Sequence, residues 1–346
     1  MPSWCARSWS WPSGGSPGCA EQRAGPHPYS ACCCAAGARP RPECAPSSRT
    51  IDSVTSTAGV PFLKGHGTEN DFVIIPDPDG LLDLSPGTVA RLCDRRAGIG
   101  GDGVLRVVRS AAHPEAKHMA AEAEWFMDYR NSDGSVAEMC GNGARVFARY
   151  LERAGLAGPG DLAIATRAGV RQAHIAKDGG DITIAMGAAR VTEPDGTGGE
   201  ITVSVAEHTW PVRKVDMGNP HAVAFVSDLA DAGRLLDAPE VRPATAYPEG
   251  VNVEFVVSRG PRHVALRVHE RGAGETRSCG TGACAVMVAA ARRDGTDPRR
   301  DGTAVTYTVD VPGGRLEITE RADGEIEMTG PAEIVAEGSI EPTLLS

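Results

Sequence analysis

The chain has little of what several function classes need. Of its 346 residues, 5% are aromatic and only four are lysine, so the basic surface interleaved with aromatic rings that holds nucleic acid is missing. The formal net charge is −10, which gives no general attraction to nucleic acid or to an anionic membrane. Long hydrophobic runs are absent as well. The longest wholly apolar stretch, residues 283–291, is too short to span a bilayer. Glutamine occurs twice and asparagine five times, against 31 arginines. A drift toward Ala, Gly, Arg and Pro accounts for that scarcity, so an asparagine retained against the drift is the more informative.

What is present divides sharply. Residues 1–57 hold eight prolines and ten serines but no Leu, Phe or Lys, and they carry six of the ten cysteines. Such a segment cannot bury enough apolar area to offset its ordering entropy. It is expected to be disordered, or an extension upstream of the true start. The Cys32, Cys33, Cys34 run has no zinc-site spacing with His27 or Cys44, and no secretory signal pattern is evident. Beyond it only Cys93, Cys140, Cys279 and Cys284 remain.

From residue 60 onward short strand patterns alternate with a few helices. Strands are expected near 62–64, 72–75, 103–108, 124–129, 162–165, 170–175 and 182–185. They continue near 201–205, 222–226, 251–257 and 264–269, with more strands toward 334. Ser85-Pro86 marks a helix start before 89–93. Strands and helices without regular βαβ alternation favour an α+β fold.

The strongest organising signal is an internal echo: residues 140–144 read CGNGA and 279–283 read CGTGA, 139 positions apart. Each opens a helix, at about 143–154 and 282–292. On the first, Val146, Phe147, Tyr150 and Leu151 form an apolar face, with Arg145, Arg149, Glu152 and Arg153 placed opposite. The second is apolar nearly all round and is expected to be buried. The spacing implies two similar domains related by a pseudo-two-fold axis, meeting near 186–191.

A helix start leaves backbone N–H groups unpaired and carries partial positive charge, so a thiol there is expected to ionise more easily. The Gly-x-Gly that follows offers bare N–H groups for a carboxylate or phosphate. One such motif is explained as well by a buried structural cysteine beside a tight turn. Two, brought into one cleft by the pseudo-two-fold, have three uses: a disulfide, a metal site, or an acid and a base on opposite faces of a substrate. A structural disulfide does not suit a cytoplasmic protein. No His or Cys stands at zinc spacing from either motif, so no metal is expected. Acid–base chemistry remains. Among four lysines no Schiff-base motif is evident, which fits a mechanism without a cofactor. All five asparagines, Asn70, Asn131, Asn142, Asn219 and Asn252, lie in the motifs HGTEND, YRNSDG, CGNG, MGNPH and EGVNVEF. Singly each suits a turn; together they suit a polar pocket for a zwitterion.

The segments KGHGTEND, DRRAGIGGDGV, MDYRNSDGSVAEMCGNGARVFARYL, MGNPHAV, GVNVEF and HERGAGETRSCGTGACA closely resemble the diaminopimelate epimerase family. The resemblance implies two similar α+β domains, 58–188 and 189–330, each a mixed barrel-like sheet around a central helix, with the tail 331–346 returning to the first. It implies cytoplasmic interconversion of LL- and meso-2,6-diaminopimelate, in lysine and peptidoglycan precursor synthesis, without metal or cofactor. By position, Cys140 and Cys279 are the catalytic pair. Gly141, Asn142, Gly280 and Thr281 hold the reacting carboxylate, with Asn70 nearby. Asn131, Asn219, Asn252, Glu270 and Arg271 correspond to recognition of the substrate's distal end, and Arg271 could pair bidentately with its carboxylate. His221 and Glu270 correspond to residues that adjust the thiols, His221 by deprotonating one of them. Many relatives carry Gln after the Asp of G-x-D, where this chain has Gly103, so no contact is assigned to Gly103. Lys64 and His66 are read as structural. A homodimer is left open. A proline or hydroxyproline racemase with the same cysteine pair and a non-catalytic amino-acid-binding protein stand as alternatives. A related isomerase group lacking the pair is set aside, because both thiols are here.

Overall fold

A computed structural model of the chain describes residues 59–192 and 200–345. The expectation for residues 1–57 lies outside them. The first half runs β1 (Val60–Gly67), β2 (Asn70–Pro76), α1 (Pro86–Cys93), β3 (Gly103–Arg109), β4 (Trp125–Asn131), α2 (Gly141–Arg153), β5 (Gly160–Thr166), β6 (Gly169–Ile175), β7 (Ile182–Ala188) and β8 (Arg190–Thr192). The second runs β9 (Thr202–Val205), β10 (His208–Asp216), β11 (Pro220–Phe225), β12 (Glu240–Arg242), β13 (Asn252–Gly260), β14 (His263–Glu270) and β15 (Gly274–Thr276). It continues with α3 (Gly280–Arg293), α4 (Pro298–Asp301), β16 (Val305–Val311), β17 (Gly314–Glu320), β18 (Glu325–Gly330), β19 (Glu333–Ile340) and α5 (Pro342–Leu345).

The echo in the sequence is an echo in topology. In the first half β1 pairs antiparallel with β2, β2 parallel with β3, β3 antiparallel with β4 and β4 parallel with β5; β5, β6 and β7 follow antiparallel. In the second half β10, β11, β13, β14, β16, β17 and β18 pair in the same succession of directions. α2 fills the crossover from β4 to β5, and α3 that from β14 to β16. The fold is thus α+β, with two similar domains, each a mixed sheet around one helix. Strands also cross between halves: β18 pairs with β7, β10 with β8, and β19 with β1.

Local chemistry sets the elements. α1 starts where Ser85 Oγ accepts from Thr88 N at 3.1 Å and Pro86 takes the first helical position. The glycines at the head of α2 each cost about 1 kcal/mol of helix propensity. Burial of Phe147 and Leu151, both fully enclosed, offsets this at about 1.5–3 kcal/mol per large side chain. α3 is buried along almost its whole length, as its composition predicts.

Arg145 departs from the helical-wheel expectation. It is fully buried rather than facing solvent. The first turn of α2 is enclosed on every side: a Cβ on Gly67 would sit 2.9 Å from Arg145 Nη2, and one on Gly330 would sit 3.6 Å from its Cζ. Farther along, Arg153 does reach outward, to Glu337 at 2.9 Å. Among the described residues no helix is long and apolar enough to cross a membrane.

Candidate active site

Each cysteine of the echo caps a helix. Cys140 precedes α2 and its sulfur accepts from Gly143 N at 3.4 Å; Cys279 precedes α3 and accepts from Gly282 N at 3.3 Å. The two helix starts are tied directly. Asn142 Nδ2 donates to Ser278 O at 3.0 Å and lies 3.2 Å from Ser278 Oγ. Two residues after one thiol is therefore bonded to the residue just before the other. The backbone is also closely covered: a Cβ on Gly141 would meet Met328 Cε at 2.6 Å and Met186 Cε at 2.8 Å.

Around Cys140, Asn70 Oδ1 lies 3.6 Å from the thiol and accepts from Asn142 Nδ2 at 3.3 Å, while Asn70 Nδ2 donates to Asp102 at 2.8 Å. Around Cys279 a longer chain arrives. His221 Nδ1 is 2.6 Å from Glu254 Oε1, and its Nε2 is 3.1 Å from Asn219 Oδ1. Asn219 Nδ2 donates to Thr281 Oγ1 at 3.3 Å, which lies 3.5 Å from Cys279 Sγ. Because the Asn219 amide donates to Thr281, its oxygen is left to accept, so His221 Nε2 carries hydrogen. The Thr281 hydroxyl, already accepting, is free to donate to sulfur. Glu270 accepts from the Thr276 hydroxyl, and its charge acts on the Cys279 thiol.

The expectation that the helix starts acidify the thiols is overturned. Burial pushes Cys140 up to about 11, which outweighs the Gly143 amide, and the Glu270 charge adds to the rise. Burial, then the Glu270 and Glu254 charges, push Cys279 well above the ordinary thiol range. Burial raises Glu270 and Glu254 too. Both thiols therefore rest protonated, and Glu270 is a carboxylate with raised proton affinity beside one of them.

Other expected residues stand apart from this cluster. Asn131 ends β4, opposite Gly103, and donates to Ser135 Oγ at 2.9 Å. Asn252 Oδ1 accepts from Arg271 N at 2.9 Å, and the Arg271 guanidinium donates to Glu249 O at 3.1 Å. Arg271 and His269 line a cavity of about 280 Å³ with Tyr247 and Val253. His221 makes no hydrogen bond to a thiol among the described residues; it reaches Cys279 through Asn219 and Thr281. Glycine at 103 has a local reason: a Cβ there would lie 2.5 Å from Arg130 O. Lys64 pairs with Asp71 at 2.7 Å, a structural use. Sequence reading missed Thr68, Arg145, Glu254 and Ser278. Glu254 had a signal, since it follows Asn252 by two on one strand and shares its face. Arg145 had none.

The model of the diaminopimelate epimerase family matches residues 62–192 and 213–335. The chain belongs to the diaminopimelate epimerase family. It is 70% identical over 286 residues to the diaminopimelate epimerase of Streptomyces coelicolor, covering 83% of this chain and 97% of that protein. It is 48% identical to that of Thermobifida fusca, covering 82% and 99%. Solved structures share the fold at low identity. A hydroxyproline epimerase from Agrobacterium vitis superposes with a TM-score of 0.57 at 14% identity, covering 82% of this chain and 92% of that one. A PhzF-family phenazine biosynthesis protein from Bacillus anthracis gives 0.58 at 16%, covering 81% and 98%.

Proposed function

We propose that this chain is a cytoplasmic epimerase that interconverts LL- and meso-2,6-diaminopimelate without a cofactor, through Cys140 and Cys279. The observation that carries the reading is the pair of cysteine-capped helix starts joined by Asn142 and Ser278 in a chain of this family. The substrate α-carboxylate sits at the helix starts, where the amides of Gly141, Asn142, Gly280 and Thr281 offset negative charge. One sulfur, as thiolate, takes the α-hydrogen as a proton, and the bonding electrons stay on the carbon and its carboxylate. The other thiol breaks its S–H bond and delivers that proton to the opposite face. When Cys279 is the base, Glu270 holds the proton its thiol gives up; turnover leaves Cys279 protonated and Cys140 as the thiolate, and exchange with solvent resets the pair, while the His221 chain donates toward the Cys279 sulfur. Asn131, Asn219, Asn252, Glu270 and Arg271 recognise the distal amino-acid end.

The test uses reduced full-length protein with LL-diaminopimelate in D2O, with α-proton exchange followed by NMR and the stereoisomers resolved. Exchange with appearance of the meso isomer is expected, and none with L-proline. Exchange of proline alone would keep the two-thiol chemistry and move the substrate to the racemase alternative. No exchange of either would favour an amino-acid-binding protein.

A further inference from the structure

The guanidinium of Arg145 is fully buried, yet no carboxylate among the described residues pairs with it. Its Nη2 donates to Asn142 Oδ1 at 3.0 Å and to Thr68 Oγ1 at 3.1 Å, while Nε and Nη1 have no partner among the described residues. Thr68 Oγ1 is in turn 2.6 Å from Ser278 Oγ. A guanidinium can only donate, so it forces the Asn142 oxygen toward itself and the Asn142 amide nitrogen toward Ser278 and Asn70. The orientation of the one side chain that joins the two helix starts is therefore set by Arg145. An enclosed, uncompensated cation is costly in the resting protein. The cost is offset whenever an anion forms close by, and the anions this site forms are a thiolate and the carboxylate at the helix starts.

We propose that Arg145 is a positioning residue for the two thiols: it locks the Asn142 side chain that joins the helix starts, and its positive charge favours the anionic form of Cys140. The groups facing Cys140 are consistent with such a role. Glu270 from β14 acts on it as a like charge, Tyr129 from β4 is neutral, and Arg145 from its own helix supplies a positive charge that opposes the rise. Burial pulls the Arg145 guanidinium down to about 10, and the charges of Cys140, Cys284 and Asp181 act against that fall. The proposal deepens the epimerase reading, and its test includes a readout that needs no substrate.

The experiment compares Arg145→Met, Arg145→Gln and Arg145→Lys with the unmodified full-length chain. Alkylation of Cys140 by iodoacetamide is followed peptide by peptide across pH 7–11 by mass spectrometry, and α-proton exchange is measured in parallel. Arg145→Met and Arg145→Gln should slow Cys140 alkylation at pH 8 by about three- to tenfold and move its midpoint upward. Cys279 should change less. Arg145→Lys keeps the charge but not the fork, so its Cys140 profile should stay within about twofold of the parent while exchange falls about tenfold or more. Parental alkylation profiles in Met and Gln variants that melt like the parent would overturn the proposal. So would a Lys variant shifted as far as the Met variant. Should the parent itself fail to exchange diaminopimelate, the epimerase reading fails, and the alkylation arm still decides the role of Arg145.

Discussion

At Cys279 two influences meet. One is the neighbouring Glu270 charge; the other is a hydrogen-bonded route from His221 through Asn219 to Thr281, whose hydroxyl lies 3.5 Å from the sulfur, and the carboxamide within it orients groups without relaying a proton. The second route makes the His221 ring an influence at a distance and not the group that removes the thiol proton. His221→Asn is therefore expected to lower exchange by about ten- to a hundredfold, short of the about thousandfold or greater loss for Cys279→Ser, where a hydroxyl replaces the base itself. Equal losses in the two variants, measured by α-proton exchange in D2O, would mean that His221 acts on the thiol or the substrate directly. At this scale the sequence was generous with the reacting groups. Two cysteines in repeated motifs and three of the five asparagines kept against a coding bias, Asn70, Asn142 and Asn219, lie in the cluster, while Asn131 and Asn252 stand apart. It gave the wrong sign for the thiols, because the helix-start amides were visible in the motif and the burial was not. Burial depends on what the other half of the molecule places over each sulfur.

Among the elements, the hairpin of β1 and β2 does the most to join the two halves at the site. Its turn residues Thr68 and Glu69 both adopt left-handed backbone angles, φ 50° and 62°, which a β-branched residue such as Thr68 rarely does. The turn is held there by contacts to the opposite half: Thr68 Oγ1 to Ser278, and Glu69 to Arg277 at 2.6 Å. Gly313 lies against it so closely that an added Cβ would fall 1.9 Å from Thr68 O, a backbone atom that cannot rotate away. Gly313→Ala should push the hairpin off and cost about 1–3 kcal/mol of stability, the range for overpacking. Activity should fall as well, because Asn70 leaves the turn on the same hairpin. Urea denaturation together with the exchange assay checks this, and a variant as stable and active as the parent would show that the contact yields easily. The hairpin was legible as two strand patterns around HGTEND, and α1 from Ser85-Pro86. Its docking partner was not, since Thr68 and Ser278 are 210 positions apart and neither carries a pattern of its own. Arg145 was misplaced for the same reason: a helical wheel describes one helix, and the wall around the first turn of α2 comes from β1 and β18.

For the whole molecule, the duplicated motif announced the duplicated topology, and the mixture of strands with few helices announced its class. The closures between halves, β7 with β18 and β1 with β19, left no local trace, because any alternating strand can pair with any other and only the assembled barrels decide which meet. Those closures enclose the thiols and so shape how the fold responds to alkali. Burial pushes Cys93 and Cys140 up to about 11 and Cys284 up to about 12. In the unfolded chain the same thiols lose their protons from about pH 8.5. Between about 8.5 and 11 the unfolded state thus binds fewer protons than the folded one, and stability falls as pH rises, by at most about 1.4 kcal/mol per pH unit for each such thiol. Below that window the contribution is fully present. Buried tyrosines act with the same sign, so the thiol share is isolated by Cys93→Ala combined with Cys284→Ala, which leave Cys140 and Cys279 in place. The urea midpoint of the reduced parent should drop between pH 8 and pH 10, and the double variant should show a shallower drop from its own starting value. Parallel slopes in the two proteins would mean that these thiols ionise in the folded state as easily as in the unfolded one, and that the core reaches solvent more readily than its packing implies.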